Sequence, residues 1–174
     1  MPENTQPINT LHKLFDYDAR KFTSAEIQLE RNLEDWIEKA GSLPFKILLQ
    51  KYHAFVAEHV KKMEAFFEQE EINSFSSSNR IMNAFIEECN EKINNCSEPV
   101  VMDAGLLASV QAINHFKVSI YGTAAAFSNE LGMKRFAAIF HEFEVNEKQI
   151  DDRLSQLAEH EINMKAKATI ALHS

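Results

Sequence analysis

A few polar side chains interrupt the apolar stripes of this sequence, and they are the residues with the clearest capacity for chemistry. In a helical bundle, inward-facing groups of this kind build metal, cofactor or ligand sites. Carboxylate and imidazole donors suit iron, manganese or zinc, whereas lysine and asparagine offer hydrogen bonds. The interrupting residues are Glu26, His59, Asn114, Lys117 and Glu147.

The two glutamates are the least ordinary of these residues. Glu26 and Glu147 each have large apolar residues one turn away on both sides. A bare buried carboxylate is costly, so we expect both to be buried and paired.

The other polar groups have ordinary structural interpretations. An isolated His59 is expected to be hydrogen-bonded or half-exposed, and Tyr121 to be a core tyrosine with a hydrogen-bonded hydroxyl rather than a redox group. Asn114 and Lys117 fall either on the stripe or at its edge, where the lysine would reach solvent.

Four long amphipathic helices would bring these side chains together. Apolar residues recur with helical spacing over residues 11–40, 44–72, 99–131 and 133–161, and a shorter helix is predicted over 79–95. Gly41 and Gly132 end the first and third stretches. Short links join the first long helix to the second and the third to the fourth, so the two helices of each pair must be antiparallel neighbours. The longer link between the second and third long helices can run back along the bundle. The sequence therefore predicts an all-α fold: a ferritin-like antiparallel four-helix bundle with a short extra helix in the central crossover.

The domain boundaries follow from the same pattern. Residues 1–8 are polar and contain two prolines, which predicts a disordered lead-in. Residues 9–162 form the predicted bundle, and residues 163–174 lose periodicity and are expected to be a frayed tail. A chain of 174 residues suffices for one domain with a full core, and only four glycines and four prolines leave few turns.

The amino-acid composition argues against two classes of binding partner. A formal net charge of −8 and a pI of about 5.4, with no basic patch, argue against binding to nucleic acid or an anionic membrane. No apolar run is long enough to span a bilayer and no secretory signal is visible, so we expect a cytoplasmic protein. Cys89 and Cys96 are expected to be reduced, small side chains, because a spacing of seven on a helix is too long for a disulfide.

Several segments resemble the YciE/YciF family of bacterial ferritin-like proteins linked to stress responses. The strongest is 103–132, which resembles the family's third long helix in carrying His115-Phe116 and, after four intervening residues, Tyr121-Gly122-Thr123. TSAEIQL at 23–29, HVKKMEAFF at 59–67 and NEKQIDDRLSQLA at 146–158 resemble the other three long helices, in the same order. The likeness covers residues 9 to about 165. It implies a dimetal-carboxylate centre, of iron, in the bundle core.

The metal ligands that this resemblance implies are incomplete here. Such a centre takes one glutamate from each of two helices and a Glu-x-x-His pair from each of the others. This chain has no Glu-x-x-His, and only the reverse, His141-x-x-Glu144, occurs. Asn114 precedes His115 where the family has a glutamate, and Lys117 replaces a second nearby carboxylate.

Two further positions depart from the family: Ala54-Phe55 replaces adjacent glutamates, and Asn146 replaces a glutamate. The remaining candidates are too few to offset the charge of two ferrous ions, so no metal is expected. These vestigial candidates are Glu26, His115, Glu147 and Asp151.

Lys117 suggests how the surviving carboxylates are satisfied. We hypothesise that its ammonium occupies the cation position and pairs with Glu26, Glu147 or both. The predicted buried polar network consists of Glu26, Asn114, Lys117, Tyr121 and Glu147.

Two functions remain open from the sequence. The first is a non-catalytic stress-associated bundle with a degenerate dimetal site, without cofactor or catalytic residues, forming a homodimer and acting by binding or assembly. The second is a metal-dependent oxidase or iron-handling protein that holds iron or manganese in a rearranged site built from Glu26, His115, Glu147 and Asp151. A module that binds a partner helix or a membrane surface fits less well, because the polar faces are acidic.

Overall fold

The computed structural model of the protein describes residues 7–71 and 78–171, and every regular element in those ranges is a helix. The chain forms α1 (Leu11–Lys39), α2 (Leu43–Gln69), α3 (Arg80–Asn94), α4 (Pro99–Glu130) and α5 (Lys134–Leu157); a π-helical turn (Ala158–Ile162) then leads into α6 (Asn163–Ala171). The predicted all-α fold, with four long helices and a short one in the central connection, is confirmed.

Local sequence explains where the helices begin and end. The side chains of Thr10, Ser42 and Asn79 cap α1, α2 and α3 by accepting the backbone N–H three residues later, at 3.2, 3.4 and 3.0 Å. Pro99 opens α4, where its missing N–H has no helical partner to lose. Gly132 adopts a φ of 73° after α4, the left-handed conformation that commonly follows a helix.

The turn between α1 and α2 sets the direction of the long helices. The backbone N–H groups of Gly41 and Ser42 donate to the two carboxylate oxygens of Asp103 at 2.8 Å, which places the start of α4 against this turn. The Ser42 hydroxyl donates to Glu161 at 3.3 Å, which brings the π-helical turn that follows α5 to the same place. Thus α2 and α4 run away from this end while α1 and α5 run toward it, and α3 carries the chain back. Around the bundle the order of neighbours is α1, α2, α5, α4.

The apolar core is divided into two clusters along the bundle axis. The cluster nearer the α1–α2 turn includes Leu33, Trp36, Phe45 and Leu49. The other is aromatic and includes the buried rings of Phe15, Phe22, Phe66, Phe67, Phe140 and Phe143. Burial of each such side chain is worth about 1.5–3 kcal/mol, so both clusters can stabilise a polar layer between them. No helix in the described part of the chain has the length and apolar character needed to cross a membrane.

The inward face of α2 differs by one position from the predicted stripe. The apolar spacing of this segment in the sequence predicts Phe55 on the inward face, but Val56 is fully buried and Phe55 is half-buried beside the cluster. Phe55 and Val56 both lie between Tyr52 and His59 at steps of three and four and are about 100° apart around α2, so spacing along the helix does not separate them and the packing of the bundle does.

The chain ends differ in part from the predicted boundaries. Residues 1–6 and 72–77 lie outside the described residues, and residues 7–9 precede α1 without regular structure. Residues 163–171 form α6, where a frayed tail was predicted; residues 172–174 lie outside the description. The Asn163 N–H bonds to the Ala158 carbonyl, five residues back, so the π turn continues the helix.

Candidate functional site

A layer of polar side chains separates the two apolar clusters. α1 contributes Glu26, α2 contributes His59, α4 contributes Lys117 and α5 contributes Glu147. All four are at most 1% exposed. Since each long helix supplies at least one titratable group, the layer depends on the whole bundle being assembled.

Lys117 lies at the centre of this layer. Its Nζ atom is 3.0 Å from Oε1 of Glu26 and also contacts Oε1 of Glu147. Nζ lies 3.3 Å from the Tyr52 hydroxyl oxygen, and 4.7 and 5.9 Å from the ring centroids of Tyr52 and Tyr121. The ammonium is therefore surrounded by two carboxylates and two aromatic faces, all of which favour a cation.

Glu147 is held by further hydrogen bonds on its other oxygen. The Tyr52 hydroxyl and the Asn114 amide each donate to Oε2 at 2.7 Å. The Asn114 amide also donates to the backbone carbonyl of Glu147 at 2.8 Å. Asn114 thus fixes the α5 backbone and the carboxylate together.

Glu26 and His59 complete the layer. The Tyr121 hydroxyl donates to Oε1 of Glu26. The Nδ1 atom of His59 is 3.9 Å from Glu26 Oε1 and 3.8 Å from Glu147 Oε1, while its Nε2 atom lies 3.2 Å from the Asn146 amide. The imidazole packs on the Phe143 ring with centroids 4.0 Å apart. Of the two states predicted for His59, hydrogen-bonded or half-exposed, the structure shows the first, with the side chain fully buried in the layer.

The pKa values of the two carboxylates are shifted in opposite directions. Burial raises the pKa of Glu26, but the charge of Lys117 and a hydrogen bond with His59 lower it more, so the pKa lies below its ordinary value. Burial raises the pKa of Glu147 and Lys117 offsets this only in part, so that pKa lies above its ordinary value. As the pH falls, Glu147 takes up a proton before Glu26 does.

Both tyrosines in the layer are held in the neutral form. Burial, followed by the charges of Glu147 and Glu26, raises the pKa of Tyr52 well above its ordinary value. Burial and the neighbouring Glu26 carboxylate do the same to the pKa of Tyr121. Each hydroxyl consequently remains a hydrogen-bond donor to a carboxylate.

The structure brings together the five residues of the sequence-predicted network: Glu26, Asn114, Lys117, Tyr121 and Glu147. Tyr52 and His59 were not included in it. The available signal was their spacing of seven residues, which puts them on the same face of α2.

His115 and Asp151, two of the four vestigial metal candidates, lie outside this layer. The Nε2 atom of His115 is 2.7 Å from Asp151 Oδ1, and the His115 side chain is 61% exposed. Gln111 donates to the same Asp151 oxygen at 2.8 Å. These residues form a surface pair beside α4 and α5, and the rearranged metal site proposed from the sequence is not assembled as predicted.

A different set of potential ligands does converge. One donor atom from each of Glu26, His59 and Glu147 lies within 4.8 Å of the other two. However, the Lys117 ammonium contacts the carboxylate oxygens that a metal would use. Two carboxylates and one imidazole around an ammonium do not fit the dinuclear centre that the family resemblance implies.

Comparisons with known proteins agree on one family. The model of DUF892, a domain of unknown function, matches residues 10–167. Protein YciF of Escherichia coli K12 is 31% identical over 163 residues, covering 91% of this chain and 96% of that protein. The crystal structure of the E. coli stress protein YciF aligns with a TM-score of 0.83 and 25% identity over 90% of this chain and 99% of that one. YcfI from Rhodopseudomonas palustris, 22% identical, shares the fold with a TM-score of 0.82 over 87% and 96% of the chains.

Proposed function

This chain belongs to the DUF892 family and is a relative of the stress protein YciF, and on that premise we propose that it is a non-catalytic, stress-associated bundle with a degenerate dimetal site. The Lys117 ammonium takes the position of the metal ions. The protein acts by binding or assembly, in the cytoplasm and as a homodimer, without nucleic acid or membrane partners.

The contact of Lys117 with both core carboxylates is the observation that carries this proposal. At an effective dielectric constant of 20, two unit charges 4 Å apart interact by about 4 kcal/mol, so an ammonium and a divalent ion at that distance repel by roughly 8 kcal/mol. Two carboxylates and one ammonium leave a net charge of only −1, which is far short of the four positive charges of a dinuclear ferrous centre. The charge balance therefore favours a closed, metal-free core.

A metal-binding function is the second candidate, because the donor atoms of Glu26, His59 and Glu147 converge within 4.8 Å. In this alternative, a protein that handles iron or manganese would use His59 in place of the exposed His115. It requires the Lys117 ammonium to leave the carboxylates or lose its proton.

Manganese titration, followed by electron paramagnetic resonance, separates the two candidates. The unaltered protein should leave the signal of free Mn²⁺ unchanged, whereas Lys117→Gln should bind the ion because the competing charge is gone. Lys148→Gln, which removes an exposed lysine paired with Glu144, is the matched control and should behave as the unaltered chain. Equal binding by the unaltered protein and Lys117→Gln would support the second candidate. No binding by either would argue against a site derived from a metal centre.

The proposed homodimer is tested by sedimentation equilibrium. A chain of 19.9 kDa should sediment with twice that mass, and the mass should not change when Mn²⁺ is added. A monomer at micromolar concentration would contradict the proposed assembly without affecting the metal-free core.

A further inference from the structure

A groove lies on the outside of the bundle, between the start of α2 and the end of α5. It has a volume of about 740 Å³, within the range of about 300–1,000 Å³ that is typical of small-molecule sites. Its walls are separate from the buried polar layer. The apolar residues that line it are Leu43, Pro44, Ile47, Leu48 and Leu157.

Two of these apolar residues are unusually open to solvent. Leu43 is 66% exposed and Ile47 is 56% exposed. They are one helical turn apart on α2, so they form a continuous apolar strip along the groove rather than scattered contacts. Their exposure indicates a surface that an apolar ligand could cover.

The charged rim of the groove is mainly cationic, although the protein carries a net charge of −8. Its two cations are Lys51 and Arg153, and neither forms an ion pair with another residue in the ranges 7–71 and 78–168. His160 also lines the rim. The one acidic residue of the lining, Glu161, is bound by Lys165 Nζ at 2.6 Å. The rim therefore offers cationic groups to an incoming anion.

We propose that this groove binds a single-chain amphiphile with an anionic head, of the fatty-acid class. The carboxylate head contacts Arg153, with Lys51 and His160 nearby, and the acyl chain covers Leu43 and Ile47. The anionic head is inferred from charge complementarity, because a guanidinium binds a carboxylate through two parallel hydrogen bonds. The acyl chain is inferred from the apolar strip formed by Leu43 and Ile47, which it would remove from water.

Calorimetric titration of the full chain with octanoate tests this assignment, with nuclear magnetic resonance to locate the site. Amide shifts should concentrate in residues 43–51 and 153–161. Each added methylene, from hexanoate to decanoate, should tighten binding about fourfold, because burial of one methylene is worth about 0.8 kcal/mol. Octanol should bind more weakly, and salt should weaken octanoate but not octanol.

Two matched pairs of variants test the head and the tail separately. Arg153→Gln should weaken octanoate about tenfold with little effect on octanol, since a charge-assisted hydrogen bond is worth about 1.5 kcal/mol or more. Arg135→Gln, on the exposed side of the same helix, should have no effect. Ile47→Glu should abolish binding, whereas Ile81→Glu, at a site exposed to the same degree (54%) on α3, should not.

Three results would overturn the proposal. The first is octanoate binding that is independent of chain length or unaffected by Ile47→Glu. The second is binding to phosphatidylglycerol vesicles without binding to monomeric octanoate, which would make the groove a membrane contact. The third is loss of self-association in Ile47→Glu together with no octanoate binding, which would make it an interface between two copies of the chain.

Discussion

Lys117 Nζ lies 3.0 Å from Glu26 Oε1, at a level of the bundle where neither side chain is more than 1% exposed. The same ammonium contacts Glu147, so one cation joins helices that are far apart in sequence. Ion pairs in such a dry environment lose much of their hydration, and their net effect on stability depends on every partner being present.

Removal of the ammonium should therefore destabilise the fold strongly. Lys117→Met keeps the length of the side chain but leaves two carboxylates buried without a cation, and it should lower the free energy of unfolding by about 3–5 kcal/mol. Lys148→Met, which breaks an exposed pair with Glu144, should change it by less than about 1 kcal/mol. Urea unfolding of both variants measures the difference. Similar small losses would show that the core does not depend on Lys117.

Replacement of the whole charged set should cost less than removal of its cation. A triple variant, Glu26→Leu with Lys117→Met and Glu147→Leu, leaves no buried charge uncompensated, and such apolar substitutions are often neutral or stabilising. We expect it to unfold at a higher urea concentration than Lys117→Met alone. A triple variant less stable than the single one would mean that packing, rather than charge, governs this layer.

The two core carboxylates should give opposite pH dependences. Because the pKa of Glu26 is lower in the folded chain, its contribution to stability is present above the ordinary value of 4.5 and is lost as the pH falls. The pKa of Glu147 is raised, so its contribution is present at low pH and is lost as the pH rises above 4.5.

Urea unfolding across an acidic pH series reports these signs. As the pH falls, the free energy of unfolding of the unaltered chain should decrease relative to that of Glu26→Gln. Relative to that of Glu147→Gln it should increase. Parallel pH profiles for the two variants would contradict the assigned charge states.

Ultraviolet titration should show two tyrosines that resist ionisation. The chain has three tyrosines, and the pKa values of Tyr52 and Tyr121 are raised well above 10 by burial and by neighbouring carboxylates. We expect two thirds of the phenolate absorbance to appear only when alkali unfolds the protein. Tyr52→Phe and Tyr121→Phe should each remove one tyrosine from that late step, and a gradual early titration of all three would be the contrary result.

Asp103 should matter to stability although it is far from the charged layer. Its carboxylate accepts the N–H groups of Gly41 and Ser42, and it is nearly fully buried. Asp103→Ala leaves both donors unsatisfied, and we expect a loss of about 1–3 kcal/mol. Asp35→Ala, which removes an exposed partner of Lys39, is the control and should have little effect. Thermal unfolding compares them, and equal melting temperatures would be inconsistent with this role.

Much of the fold could be predicted because it depends on local signals. The apolar periodicity marked the four long helices, and the caps at Thr10 and Ser42 are set by the side chain of one residue and a backbone group three residues later. α6 was missed because residues 163–171 have no apolar stripe. There the helix continues from the π turn that precedes it, which periodicity does not show.

The candidate site could be predicted only where a stripe indicates the inward direction. Glu26 and Glu147 stand between apolar residues one turn away, so their burial could be expected. Adjacent residues are harder to assign: Asn114 points inward and His115 outward because they differ by about 100° around α4. Which group lies across the bundle from His59 is a tertiary relationship, and spacing along one helix contains no information about it.

The iron content of the protein, purified without chelator and then exposed anaerobically to excess ferrous iron, tests the central claim most directly. With Lys117 in the cation position, the washed protein should retain no stoichiometric iron, and its stability should not change after the exposure. One or two ferrous ions per chain, bound by Glu26, His59 and Glu147 with the lysine displaced, would contradict the account.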